Sequence, residues 1–342
     1  MQNILTKSEI QEYHQKNIKR ICIKEMPLLT DLAREELQRL GMEIVLEGSE
    51  QTAAVSAPAV KPAKDAPAST GGYGGAATYR GAGVKAPFRD LICSEKKLIG
   101  TFVGTPHPVM TEYLGHLGFD FLCIDSEHNA MNLETVQKML QALKATPTYG
   151  MVRVPTLTYE CVSGALDIGA DALLIPQIRT MEDIQKLKAF SQYPPVGRRG
   201  AGPSRLWDYG DSIGKLGEPG DINRTTNIVV QLETVSAVER IDEIVQADFI
   251  DMFFIGPGDL SMDMGIFGQF GNPRLIDTIM MLREKTRAAG KRLGVFAGNF
   301  QAARGFYEKG FDMTIINSEL ALLGTAVSKE IPGLREAIGE PL

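Results

Sequence analysis

The sequence predicts an α/β protein whose main part is a (β/α)8 TIM barrel, preceded by a small N-terminal α/β module and a flexible linker. Three observations support this architecture. Beyond about residue 90, short and nearly continuous apolar runs alternate with segments of helical periodicity. About eight such repeats fit into roughly 250 residues, a usual length for this fold. The composition changes abruptly between residues 51 and 88, which separates the barrel from the segment before it.

Residues 1–50 show the pattern of a small α/β module. The segment SEIQEYHQKN predicts a helix, and KRICIKE alternates like a strand. TDLAREELQRLG has leucines at helical spacing, with Gly41 positioned to end the helix, and MEIVLEG predicts a second strand. Fifty residues with few large apolar side chains are marginal for independent folding. We therefore expect this module to dock on another surface, to stay partly mobile or to assist assembly.

Residues 51–88 are rich in Ala, Pro and Gly and contain no Leu, Ile or Met. Such a segment buries too little apolar surface to offset the entropy lost on ordering it. The composition predicts a disordered linker, with a semi-extended Ala-Pro half and a flexible Gly half. The barrel domain is accordingly expected at 89–342.

The strands of the barrel are predicted, in order, at LIGTFVG, FDFLCID, YGMVRV, ADALLIP, NIVVQLE, DFIDMFFIG, RLGVFAG and DMTIINS. Helices are predicted between them, for example at NLETVQKMLQALKAT and TMEDIQKLKAFSQY. A doubly wound open sheet is the alternative. It is less favoured because no G-x-G-x-x-G motif follows the first strand.

Charge and hydropathy exclude several classes of protein. The net charge of -6 argues against nucleic-acid binding driven by bulk charge. No apolar run approaches the roughly 18 residues of a membrane-spanning helix, and the polar N-terminus lacks the apolar core of a secretory signal. We expect a cytoplasmic protein without nucleic-acid or membrane partners.

Chemistry in a parallel barrel takes place where the strands end, so polar residues at those positions are candidates. FDFLCID runs into Asp125, and His128 follows three residues later, so the carboxylate is expected to orient the imidazole as a general base. A solvated surface loop is the alternative. Arg153 interrupts an apolar strand, and its guanidinium must find a carboxylate, an anionic ligand or solvent. A structural ion pair and a substrate contact are both open.

Two carboxylates follow adjacent predicted strands. Gln231 and Glu233 have the spacing that points both side chains to the same side of NIVVQLE, and Asp259 follows DFIDMFFIG. Two carboxylates with water and substrate oxygens suit a hard divalent cation such as Mg2+ or Mn2+. The alternative for Asp259 is capping of the next helix.

These motifs together resemble the HpcH/HpaI aldolase family, the class II, metal-dependent pyruvate aldolases. The resemblance covers roughly Leu91 to Leu323 and rests on IDSEH, VRVP, LDIGADALLIPQI, YPPVGRRG, QLET and FIGPGDLS, in the order of the family. The GPADLS of the family is GPGDLS here. We expect this change to loosen the loop but to leave intact the contact of its backbone with the pyruvate carboxylate that the family implies. Residues 1–88 lie outside the resemblance.

The resemblance implies a role for each matching residue. Glu233 and Asp259 would bind the metal (Mg2+ or Mn2+, or Co2+), and His128, paired with Asp125, would be the catalytic base. Arg153 would stabilise the enolate oxygen. Substrate binding would fall to Gln231, Gly258, Asp259 and, near an intersubunit part of the site, Asp167.

The reaction that the resemblance implies is reversible cleavage of a 4-hydroxy-2-oxoacid to pyruvate, or a similar 2-oxoacid, and an aldehyde, through a metal-stabilised enolate. No lysine falls at a predicted strand end, which argues against a Schiff-base aldolase. A CoA-thioester carbon–carbon lyase of the citrate lyase β-like branch is the alternative. The family also implies a homo-oligomer, often a hexamer.

The N-terminal segments suggest a further role. A short module on an Ala/Pro/Gly linker is similar to the tails that dock enzymes into bacterial microcompartments, so residues 1–50 are a candidate scaffold-binding element. An accessory role in assembly is the alternative.

Overall fold

The structure, a computed structural model, describes residues 87–210 and 223–340 and, nearer the N-terminus, residues 4–5, 10–11, 13–14, 16, 18, 20–23, 28–29 and 31–46. The chain divides into two compact units, Met1–Tyr73 and Gly74–Leu342. Most of the linker predicted at 51–88 lies outside the described residues. No helix within the described ranges has the length and apolar character needed to cross a membrane.

The described part of the first unit is a small α/β arrangement, as predicted. Strand β1 (Ile4–Leu5) pairs in parallel with β3 (Leu28–Leu29), and β2 (Arg20–Ile23) with β4 (Glu43–Leu46). Helix α1 (Asp31–Leu40) precedes β4. Its leucine spacing buries Leu37 in a small apolar core, and Gly41, at a φ of 60°, ends the helix in the left-handed conformation that glycine tolerates.

The second unit is a closed barrel of parallel strands, which confirms the predicted (β/α)8 architecture. Its strands are β5 (Leu98–Val103), β6 (Phe121–Asp125), β7 (Tyr149–Arg153), β8 (Ala172–Ile175), β9 (Ile228–Leu232), β10 (Met252–Ile255), β11 (Arg292–Ala297) and β12 (Met313–Ser318). They follow one another around the barrel in chain order, and β12 pairs with β5 to close it.

The α-helices of the barrel unit lie before and between these strands and after the last one. In order they are α2 (Phe88–Ile92), α3 (Pro108–Gly115), α4 (Leu133–Leu143), α5 (Tyr159–Asp167), α6 (Met181–Ser191), α7 (Val235–Glu239), α8 (Ile241–Ile244), α9 (Pro257–Asp263), α10 (Pro273–Ala288), α11 (Phe300–Glu308) and α12 (Glu319–Ala337). Apolar side chains on the outer strand faces pack against these helices. Inward-facing side chains fill the barrel interior.

Helix α2 covers the end of the barrel at which the strands begin. Phe88 is 3 % exposed, and its ring centroid lies 4.9 Å from that of Tyr149, at the start of β7. The Arg292 guanidinium at the start of β11 donates to the carbonyls of Leu91 and Ile92, which fixes the helix to the barrel. Phe88, placed by composition at the last position of the linker, therefore belongs to the barrel core.

Candidate active site

The carboxyl ends of neighbouring strands present a connected set of polar side chains. Each strand buries alternate residues in the interior, so the alternation that directs Cys123 and Met151 inward also directs Asp125 and Arg153 inward. These two residues are also paired in register between β6 and β7. On β9 the same alternation directs Gln231 inward, and Glu233 follows one residue beyond the strand. All four side chains are buried.

Arg153 is held by two carboxylates. Its Nε donates to Asp125 Oδ1 at 2.8 Å, and one guanidinium nitrogen lies 3.2 Å from Glu127 Oε2. Its guanidinium carbon also lies 4.3 Å from the centre of the Phe102 ring. Burial alone would lower the pKa of Arg153, but the hydrogen bond and the charge of Asp125 raise it above the ordinary value. The site therefore keeps a fixed, oriented positive charge.

Glu127 was missed by sequence reasoning, although it stands between two residues that were chosen. Burial raises the pKa of its carboxyl to about 7; the charge of Arg153 opposes this shift, and those of Asp125 and Asp259 add to it. Half-buried carboxyls with such values occur at sites built for ionic ligands or proton transfer. The signal available in the sequence was its place in the IDSEH segment directly after a strand.

Glu233 accepts hydrogen bonds on both carboxylate oxygens. Oε1 accepts from the backbone nitrogen of Gln177 at 2.8 Å and from its side-chain Nε2 at 3.1 Å, while Oε2 accepts from Gln231 Nε2. Burial raises the pKa of Glu233 to about 7; the Gln177 backbone hydrogen bond and the charge of Arg153 oppose the shift, and the charges of Asp259 and Glu127 add to it. This carboxylate is buried in a position where a cation would relieve its charge.

Gln177 was also missed by sequence reasoning. It is the second residue after β8 and directly follows Pro176. Its φ of 56° lies in the left-handed region, which is unusual for a residue other than glycine. That conformation costs about 1–3 kcal/mol and is common at functional sites. As a polar residue after a barrel strand, Gln177 met the criterion that selected Asp125 and Glu233.

Asp259 lies in the first turn of α9, directly after β10. The N-cap of this helix is Gly256, which has no side-chain cap, so the capping alternative for Asp259 is not what the structure has. A Cβ on Gly256 would lie 2.7 Å from both Gln231 Nε2 and Glu233 Oε2, so a larger residue would displace these groups. A Cβ on Gly258 would meet no atom within 4 Å, so its backbone borders open space.

The predicted pairing of His128 with Asp125 is not present. Asp125 Oδ1 accepts from the backbone nitrogens of Glu127 and His128, at 3.2 and 3.4 Å, and Oδ2 accepts from Asn129 Nδ2 at 2.9 Å. The imidazole Nε2 of His128 instead lies 3.7 Å from Glu127 Oε2, and its side chain is 59 % exposed. The Asp125 carboxylate instead bonds the backbone of the bend after β6, and the imidazole lies beside Glu127.

Asp167 lies away from the other candidates in this chain. It is the last residue of α5, which returns from the carboxyl end of β7 towards the start of β8. Its Oδ1 accepts from the fully buried guanidinium of Arg199 at 2.6 Å. Within one chain Asp167 therefore forms an ion pair near the opposite end of the barrel.

The donor set fits a divalent cation. Glu233 and Asp259 follow adjacent strands, and carboxylate oxygens are the ligands that Mg2+ and Mn2+ prefer. The buried Oε1 of Gln231, beside Glu233, has no hydrogen-bond partner among the described residues. Within those residues no group of three or more His, Cys, Asp or Glu side chains forms a complete metal site, so solvent or substrate oxygens would have to complete the shell.

Comparison with known proteins identifies the class. Residues 98–325 match the HpcH/HpaI aldolase/citrate lyase family, and the chain belongs to it. A 5-keto-4-deoxy-D-glucarate aldolase from Escherichia coli O157:H7 (strain EC4115 / EHEC) is 31% identical over 242 residues, covering 71% of this chain and 94% of the relative. The predicted family and the predicted carbon–carbon lyase class are therefore confirmed.

Solved structures agree with this assignment. A HpcH/HpaI aldolase/citrate lyase family protein from Burkholderia cenocepacia J2315 superposes with a TM-score of 0.69 at 28% identity, covering 72% of this chain and 98% of that one. A HpcH/HpaI aldolase from Desulfitobacterium hafniense DCB-2 gives 0.67 at 26% identity, covering 72% and 96%. In both cases about a quarter of this chain lies outside the likeness, as expected for a family barrel with added segments.

Proposed function

We propose that this protein is a divalent-metal-dependent aldolase that reversibly cleaves a 4-hydroxy-2-oxoacid to pyruvate, or a similar 2-oxoacid, and an aldehyde. The observation that carries the proposal is the concentration of negative charge beside one buried arginine. Burial raises the pKa values of Glu127 and Glu233 to about 7, and the charge of Asp259 adds to both shifts. A cation bound between Glu233 and Asp259 would neutralise this charge.

Arg153 supplies the charge that the reaction needs. Breaking the bond between C3 and C4 of the substrate leaves an electron pair that becomes the C2–C3 double bond of an enolate, with negative charge on the C2 oxygen. The Arg153 guanidinium is already oriented by Asp125 and Glu127, so it requires no reorganisation to stabilise that oxygen. A divalent cation held by Glu233 and Asp259 would add Lewis-acid polarisation of the 2-oxo group.

Proton transfer falls to the segment after β6. In the cleavage direction, a base must take the proton of the 4-hydroxyl as C4 leaves as the aldehyde, and a proton must then be delivered to C3 to give the 2-oxoacid. The imidazole of His128 is the candidate base, because it is exposed and lies beside the Glu127 carboxylate rather than being fixed in an internal pair. Backbone nitrogens at Gly258 and Asp259 are the candidate site for the substrate carboxylate, beside Gln231.

The similarity to 5-keto-4-deoxy-D-glucarate aldolases supports a sugar acid as the first substrate to test. The experiment measures pyruvate or hydroxypyruvate release from a panel of 4-hydroxy-2-oxoacids that includes 5-keto-4-deoxy-D-glucarate. Purified full-length protein is assayed with EDTA and after addition of Mg2+, Mn2+ or Co2+. Glu233→Ala is the test variant. Glu239→Ala, at an exposed carboxylate on α7, is the matched control.

We expect cleavage that requires the metal, is lost in Glu233→Ala and is retained in Glu239→Ala. Cleavage that survives both chelation and Glu233→Ala would refute the metal mechanism. Absence of cleavage across the panel, together with metal-dependent cleavage of a CoA thioester, would favour the citrate lyase β-like alternative.

We also propose a homo-oligomer, a hexamer by family resemblance, in which α12 is a contact surface. Every residue from 323 to 340 is exposed. Apolar side chains at Leu320, Leu323, Val327, Ile331 and Leu334 follow the three- and four-residue spacing of a helix packing seam, and each is between 41 % and 58 % exposed. A groove of about 740 Å³ runs along the barrel wall beside the first turns of α12, where Ile99 of β5 is exposed. These apolar surfaces would be covered by other copies of the chain.

Substitution of Val327 and Leu334 by Asp tests the contact, with Glu330→Gln as an exposed control on the same helix. Light scattering after size-exclusion chromatography should show a smaller mass for the double variant and an unchanged mass for the control. An oligomer of unchanged mass would exclude this face. We also propose that Asp167 contributes to the site of a neighbouring subunit. The test is the aldolase activity of Asp167→Asn in an oligomer of unchanged mass, which should be lowered if this contribution exists.

For residues 1–50 we propose docking to a scaffold, with a bacterial microcompartment as the setting and the cytoplasm as the location. The test compares the full chain with a deletion of Met1 to Ala86, which retains Phe88 in the barrel core. Unchanged kinetics with loss of co-sedimentation with the scaffold would support docking. Loss of the oligomer would instead assign the segment to assembly.

A further inference from the structure

The carboxylate of Glu233 is connected to a chain of polar contacts that leaves the centre of the barrel. The carboxamide of Gln177 donates to Glu233 through Nε2 at 3.1 Å and accepts at Oε1 from Arg179 at 3.0 Å. It can do both because a carboxamide carries a donor NH2 group and an acceptor oxygen. The amide orientation is therefore fixed by its neighbours on both sides.

The chain of contacts continues to the helix that carries the second carboxylate. Another guanidinium nitrogen of Arg179 lies 3.9 Å from Asp263 Oδ1. Asp263 Oδ2 accepts from the backbone nitrogen of Val235 at 2.7 Å, and Val235 follows Glu233 by two residues. Asp263 also lies one helical turn after Asp259 on α9. The contacts thus form a ring that joins the segments after β8, β9 and β10.

We infer that Gln177 is a positioning residue that, through this ring with Arg179 and Asp263, sets the orientation of Glu233 relative to Asp259 for a divalent cation. This inference rests on the proposed metal-dependent function. It assigns Gln177 no contact with the substrate. Its backbone is left-handed, at a φ of 56°, and its backbone nitrogen and side chain both donate to the same carboxylate oxygen of Glu233.

Outer groups that hold metal ligands in place typically contribute 10–100-fold to metal affinity. Gln177→Met preserves side-chain length and the backbone donor but removes both polar ends of the carboxamide. We expect it to raise the Kd for Mn2+ by about tenfold. Arg179→Met breaks only the outer link and should cause a smaller loss. Arg304→Met, at an exposed side chain of α11, is the matched control and should leave the Kd unchanged.

Gln177→Gly distinguishes the effect of losing the side chain from the effect of backbone strain. Glycine adopts a φ of 56° without strain, so this variant should have a higher Tm than Gln177→Met. If the carboxamide is what positions Glu233, both variants lose Mn2+ affinity despite their different Tm values. A merely structural role predicts instead that affinity follows Tm.

The measurement is isothermal titration calorimetry of Mn2+ into full-length protein freed of metal by chelation, with Glu233→Ala alongside. Loss of binding in Glu233→Ala with about tenfold weaker binding in Gln177→Met supports the inference. Loss in Glu233→Ala with Gln177→Met within about twofold of the unmodified protein overturns it and leaves the proposed function standing. Unchanged binding in Glu233→Ala removes the metal site itself, and the positioning role with it.

Discussion

Replacing Glu233 with Gln should change how the stability of the metal-free protein depends on pH. Burial holds the pKa of Glu233 at about 7, against 4.5 for an ordinary glutamate. The folded state therefore binds this proton more tightly than the unfolded state. The stability that the protonated carboxyl contributes is fully present below about pH 4.5 and is lost as the pH rises through 7.

The magnitude follows from the size of the pKa shift. One pKa unit corresponds to about 1.4 kcal/mol, so between pH 5 and pH 8 the unmodified protein should lose roughly 2–3 kcal/mol of unfolding free energy through this group. A glutamine cannot ionise, and its carboxamide oxygen still accepts from Gln177. Its new NH2 group can donate to the unpartnered Oε1 of Gln231 once that amide turns over. Glu233→Gln should therefore lose less stability across the same range.

The assay is guanidinium unfolding in EDTA at pH 5, 6.5 and 8, followed by the fluorescence of Trp207, the single tryptophan, which is buried against Tyr193. Glu239→Gln is the control and should behave like the unmodified protein. Equal pH slopes for Glu233→Gln and the unmodified protein would refute the reasoning, because no burial penalty would then reside on Glu233. Added Mn2+ should stabilise the unmodified protein more at pH 8 than at pH 6, because binding competes with protonation.

Three further predictions concern other parts of the barrel. Arg153→Lys should lower kcat/KM for 2-oxoacid release by about 100-fold or more, because a guanidinium fixed at two carboxylates is lost; an unchanged rate would exclude Arg153 from the enolate site. Gly256→Ala should weaken Mn2+ binding in a calorimetric titration, because its Cβ would lie 2.7 Å from Glu233 Oε2. The control, Gly305→Ala, has open space around its Cβ and should leave the affinity unchanged. Equal affinities of the two variants for Mn2+ would contradict the close approach at Gly256. Phe88→Ala should destabilise the barrel by about 3–5 kcal/mol in guanidinium unfolding, and a loss under about 1 kcal/mol would return Phe88 to the linker.

Much of the fold and the candidate site followed from the sequence because both depend on local patterns. Strand alternation predicts which residues face the interior, and parallel strands bring residues such as Arg153 and Glu233 to one end of the barrel. Phe88 was assigned to the linker because composition is averaged over a window, whereas burial belongs to single side chains. The ring of Phe88 packs on Tyr149, which is far from it in sequence.

The details of the site depend on geometry that residue spacing does not carry. The Asp125 carboxylate accepts hydrogen bonds from backbone nitrogens of the next residues and from Arg153. Proximity in sequence therefore did not produce the predicted pairing with the His128 side chain. Gln177 has a left-handed backbone, a conformation that is uncommon for residues other than glycine and that the sequence does not predict here. Asp167 was selected by family resemblance, and one chain alone places it beside Arg199.

The closure of the barrel between its first and last strands has a consequence during synthesis. The hydroxyl of Thr101 in β5 donates to the carbonyl of Ile316 in β12, which lies 215 residues later. A ribosome adding roughly 5–20 residues per second needs roughly 10–40 s to supply that partner. During this interval β5 has an open edge, and unpaired edges promote association with other chains. Nascent chains of this protein should therefore depend on chaperones until β12 has left the ribosome, and a ribosome stalled before residue 313 should expose an aggregation-prone barrel.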